Sequence, residues 1–132
     1  MKTINIVIEK SADFYDAFAE NCEGIYGAGE TAEEAKMNAL IGLELLLKTQ
    51  VTEDLPDILK GEYNIIFRYD AQSFLNYYSN VFSNVALEKL TGINQKQLHH
   101  YASGLRIPRE AQRKKIEDAL HKLGKELLAV EL

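Results

Sequence analysis

The sequence predicts an α+β chain in two parts: a β-β-β-α-β front part over residues 1–70 and an all-helical part over residues 71–132. Three observations predict it. Apolar residues alternate with a period of two near the start and again at 63–70, with a capped helical pattern between them. After Asp70 the strands give way to short helical stretches stopped by glycine. The charge divides at nearly the same place. Residues 1–79 carry six Lys/Arg against fourteen Asp/Glu, a net −8, whereas residues 80–132 carry nine against six, a net +3. An acidic front and a basic back point to two functions in one chain, the basic part meeting a polyanion and the acidic part a basic protein. A plain attraction between the two halves is the alternative.

Each element has a local reason. Thr3–Lys10 alternates Ile4, Ile6 and Ile8 with polar or smaller residues and reads as a half-buried strand. Phe14–Asn21 reads as a second, antiparallel strand after the Ser11–Asp13 turn. Glu23–Glu30 is a short third strand whose three glycines suit turns and bulges. Thr31 then opens a helix as its cap, with Glu34 completing T-x-x-E. Ala32, Ala35, Ala39, Leu40, Leu43, Leu46 and Leu47 give that helix its apolar face, and it ends near Lys48–Gln50. An irregular connection leads to a fourth strand, Tyr63–Asp70.

In the helical part, Asp70 caps a helix running to about Ser79 with Phe74, Leu75 and Tyr78 inward. Ser83 caps a second helix stopped by Gly92, and Asn94 caps a third stopped by Gly104. Pro108 begins a fourth, with Ala111, Ile116, Ala119, Leu120, Leu123 and Leu127 at helical spacing. The last residues fit either the end of that helix or a short strand.

The composition excludes several classes. No apolar run reaches the roughly 18 residues of a membrane span, and the N-terminus lacks a signal-peptide core, so a cytoplasmic address is expected. A single cysteine, Cys22, allows no internal disulfide and no thiolate metal site. No G-x-S-x-G, no phosphate-cradling loop and no ligand-spaced His/Cys grouping occurs. The expectation is a protein that is not an enzyme and holds no cofactor or metal. The rival is a metal-dependent ribonuclease remnant using Glu9, Asp13 or Asp16. His99 and His100 are adjacent rather than four apart, which does not suit metal ligation.

Two short helices joined by a glycine turn inside a basic segment describe a helix-turn-helix. Ile93 and Leu98 pin the third helix against Leu87 and Leu90, while Tyr101 and Leu105 close its far end. The outward face then offers Gln95, Lys96, Gln97, His99, His100 and Ser103. Such a helix reads bases from its first turns, glutamine bonding adenine and lysine guanine. Ser83, Asn84 and Arg106, with Arg109, Arg113 and Lys114 near them, suit the phosphate backbone.

The spacing L-x4-G-I-N-x3-L-x2-Y-x2-G-x-R-x-P, followed by K-I-x2-A-L, resembles the Cro/repressor type of helix-turn-helix over Phe74–Leu123. The resemblance implies base reading by Gln95, Lys96 and His100, with Gln97 nearby, and a phosphate contact at Asn84. Four residues before the turn glycine, that family keeps a small residue; this chain has Glu88. Either the helix pair splays, or Glu88 lies along the surface. The front part, through Gly29-x-Thr31-x-Glu33-Glu34-Ala35-x-x-Asn38-Ala39, is similar to HicB-type antitoxins. That likeness implies a partial ribonuclease-H-like fold, masking of a small basic RNA-cleaving toxin of the HicA type, repression of the shared operon through operator DNA, and dimers or higher assemblies. It assigns no toxin-contact residue. The alternative is a DNA-binding regulator whose front part senses a ligand or only dimerises.

Overall fold

The computed structural model describes residues 1–132. Its first compact unit runs from Met1 to Tyr77 and its second from Tyr78 to Leu132. The first is a four-stranded mixed sheet in the order β3-β2-β1-β4, formed by β1 (Lys2–Lys10), β2 (Tyr15–Ala19), β3 (Tyr26–Gly29) and β4 (Tyr63–Tyr69). The strands β1, β2 and β3 form an antiparallel meander, and β4 lies parallel to β1 with Ile4 opposite Ile65 and Ile6 opposite Phe67. A parallel neighbour needs a long crossover. The chain supplies it as α1 (Ala32–Thr49) plus two short 3₁₀ turns at Thr52–Asp54 and Asp57–Leu59.

The period of two is expressed in burial. Ile4, Ile6, Ile8, Tyr15 and Ala17 point to one face and are buried there with Ala32, Ala35, Ala39 and Leu43 of α1. Thr31 Oγ1 accepts the Glu34 N–H at 3.1 Å, which starts the helix as the spacing predicts. Asn38 Nδ2 donates to the Ala28 carbonyl at 2.7 Å and ties α1 to β3. Leu47, expected on the buried face, is instead 38% exposed, while Leu46 beside it packs against the core.

The first compact unit includes α2 (Ala71–Tyr77), which packs with the sheet. The Asp70 carboxylate holds it: Oδ1 accepts the Ser73 N–H at 2.7 Å, and Oδ2 accepts the Lys10 N–H of β1 at 3.2 Å. Its inward residues are Ser73 and Leu75, and Phe74 meets the Tyr69 ring edge-on at 5.9 Å. Tyr78, expected inside this helix, lies beyond its end and sits 6.3 Å from the Phe82 ring.

The second unit is three helices: α3 (Asn84–Thr91), α4 (Gln95–Ser103) and α5 (Glu110–Leu128). Leu87, Ile93, Leu98, Tyr101 and Ile116 are buried. Pro108 is buried ahead of α5 rather than in its first turn, and Arg109 occupies the cap position. Residues beyond the Ala129 cap adopt neither helix nor strand. No helix is long and apolar enough to cross a membrane.

Candidate nucleic-acid interface

The turn between α3 and α4 is built from three local devices. Ser83 Oγ accepts the Ala86 N–H at 3.1 Å and starts α3. Gly92 ends it in the left-handed region at φ 77°, where a Cβ would be strained. Thr91 then links both sides of the turn, donating through Oγ1 to the Leu87 carbonyl at 2.6 Å and accepting the Ile93 N–H at 3.1 Å. Asn94 Oδ1 accepts the Lys96 N–H at 2.8 Å and starts α4. Buried Leu87, Ile93 and Leu98 fix the two helices together.

With Leu98 and Tyr101 inside, the first turn of α4 faces out. Gln95 and Lys96 are exposed there. Gln97 is half-buried, and its amide donates to the Tyr101 hydroxyl at 2.9 Å. It therefore turns along the helix onto Tyr101, away from the Gln95–Lys96 edge. His100 is half-buried, with Nδ1 enclosed and without a hydrogen-bond partner. His99 is exposed, its ring centroid 6.5 Å from that of His100.

Two arginines lie beyond the end of α4. Arg106 and Arg109 line an open cleft of about 580 Å³ with Gln97, Tyr101, Ile107 and Gln112. Ser83 is exposed and Asn84 half-buried at the start of α3. Leu105, expected to close the far end of α4, is 70% exposed. Gly104 reverses the chain at φ 81° and swings the following residues outward, so Tyr101 closes that end without it.

Sequence reasoning missed the role of Glu88. Glu88 lies along the surface, half-buried, with its carboxylate turned to the start of α4. Oε1 accepts the Gln95 backbone N–H at 3.0 Å, and Oε2 accepts from Gln95 Nε2 at 3.4 Å. A carboxylate at the first N–H groups of a helix satisfies an otherwise orphaned donor and meets the positive end of the dipole. The signal available in the sequence was an acid seven residues before the first residue of α4.

In the front unit, Glu9 and Asp16 are paired across β1 and β2, and Asp16 Oδ1 accepts the Tyr26 hydroxyl at 2.9 Å. No three His, Cys, Asp or Glu side chains converge as a metal site would require. Burial pushes the Cys22 thiol up from its ordinary pKa, and the neighbouring Glu23 charge adds to the effect. Compared with models of protein families, with curated proteins and with solved structures, the chain matches none.

Proposed function

We propose that the chain is a two-unit regulator. The second unit binds operator DNA through α4, and the acidic front unit masks a small basic toxin of the HicA type whose operon the protein represses. One observation carries the DNA-binding half: a capped helix, begun after a left-handed glycine, that presents Gln95 and Lys96 to solvent at its first turn. That is where a helix entering the major groove meets base edges. Arg106, Ser83 and Asn84 then serve the phosphates, and two copies read two half-sites about one helical turn apart.

For the front unit the support is charge and surface. Met37, Ile41 and Leu45 recur every four residues on the outer side of α1, each about half exposed. Such a row is suited to covering by a protein. The same row also fits the alternative in which the front unit only dimerises. Co-expression with the product of an adjacent short basic reading frame separates the two. A stable complex of the two products, with growth restored, supports masking; a homodimer that ignores that product supports dimerisation alone. Selection of random duplexes on the purified chain tests the DNA half, and enrichment of no sequence would refute it.

A further inference from the structure

Glu88 meets Gln95 twice, once at the backbone and once at the side chain. A carboxylate accepts hydrogen bonds and donates none, so the part of the Gln95 amide turned toward it is the NH₂ group. One of the two amide hydrogens is thereby occupied. The second hydrogen and the carbonyl oxygen have no partner in the protein, and with the hydrogen trans to the oxygen held by Glu88 the remaining two lie side by side. That pair complements adenine, which offers the N7 acceptor and the N6 donor in the major groove. Guanine offers two acceptors there, N7 and O6, and the Gln95 carbonyl would oppose one of them.

We propose that Glu88 is a specificity-determining positioning residue, fixing the Gln95 amide in the orientation that accepts adenine and refuses guanine. The inference rests on the DNA-binding reading of α4. Glu88 need not touch a base. It acts from α3, a neighbouring helix held by buried Leu87. Nor is it required to start α4, since Asn94 caps that helix independently through the Lys96 N–H. One carboxylate oxygen stays on the Gln95 backbone N–H while the other serves the side chain.

The test selects random duplexes on the full chain as wild type, Gln95→Ala, Glu88→Gln and Glu88→Ala. The base position whose preference collapses in Gln95→Ala is the one Gln95 reads, and in the wild type that base is adenine. In Glu88→Gln the new carbonyl still accepts the Gln95 backbone N–H, but the new NH₂ now donates. The Gln95 amide turns over and presents both hydrogens, so preference moves from adenine toward guanine by about tenfold or more. In Glu88→Ala the amide is released, and the adenine preference falls without reversing. Each ratio is measured within one variant, so a change in stability or in total charge cancels. An unchanged adenine-to-guanine ratio in both Glu88 variants overturns the proposal. So does a guanine preference in the wild type, or a Gln95→Ala variant that alters no position. If the wild type enriches nothing, the DNA-binding reading fails and takes this inference with it.

Discussion

Gly27 and Ala39 meet backbone to backbone. A Cβ built on Gly27 would lie 2.3 Å from the Ala39 nitrogen and 2.6 Å from the Ala35 carbonyl oxygen. No rotamer relieves a clash with backbone, so α1 would have to lift from the sheet. Gly27→Ala is expected to cost about 3 kcal/mol, at the high end of overpacking. Urea unfolding checks it; a loss below roughly 1 kcal/mol would mean that α1 sits less tightly than this contact requires.

Gly92 makes the opposite case. Nothing lies within 4 Å of a Cβ built there, yet its φ is +77°. The cost of Gly92→Ala is then conformational alone, about 1 kcal/mol, and Gly92→Asn should recover part of it. Thermal melting of the two variants reads the difference. Equal melting temperatures would show that φ is not what the position demands.

Asp70 ties a helix to a strand through one carboxylate. Asp70→Ala removes the acceptor for both the Ser73 and the Lys10 N–H. A loss of about 1–2 kcal/mol is expected, as for other helix caps. Hydrogen exchange should accelerate through α2 before the rest of the first unit. Uniform acceleration across the whole chain would contradict the local anchoring.

On DNA, Gln95 and Lys96 should differ in kind from Arg106. Gln95→Ala and Lys96→Ala should each erode preference at one base position by about 1–3 kcal/mol. Arg106→Ala should weaken all sequences alike and reduce the salt slope by about one. Titrations at several salt concentrations separate the two behaviours. A sequence-selective defect in Arg106→Ala would reverse the assignment.

Cys22 is 6% exposed with its thiol pKa raised, so little thiolate is present and little of it is reachable. Iodoacetamide at mildly alkaline pH should label the unfolded chain quickly and the folded chain slowly. Mass spectrometry along a urea titration should place labelling on the unfolding curve. Full labelling of the folded chain would place the thiol outside the core.

The G-x-T-x-E-E-A-x-x-N-A pattern is explained almost entirely by packing. Thr31 caps α1, Ala35 and Ala39 allow the close approach at Gly27, and Asn38 bonds β3. These residues say how a helix lies on a sheet, which is why the front fold was legible. The same fact explains why they named no partner surface. The exposed row Met37, Ile41 and Leu45 starts among those packing residues, runs past them, and carries no local signature of its own.

Local chemistry accounts for the part of the fold that is legible along the chain. Side-chain oxygens at Thr31, Ser83 and Asn94 began helices, left-handed glycines at 92 and 104 ended them, and period-two isoleucines made a strand with one buried face. Contacts between residues far apart in the chain emerge from packing alone. Packing assigned α2 to the sheet through Asp70 and Lys10, and it brought the Glu88 carboxylate to Gln95. Caps and turns act within four residues of chain, so a pattern can encode them. A hydrogen bond across two helices depends on how their axes pack, which no short stretch of sequence specifies.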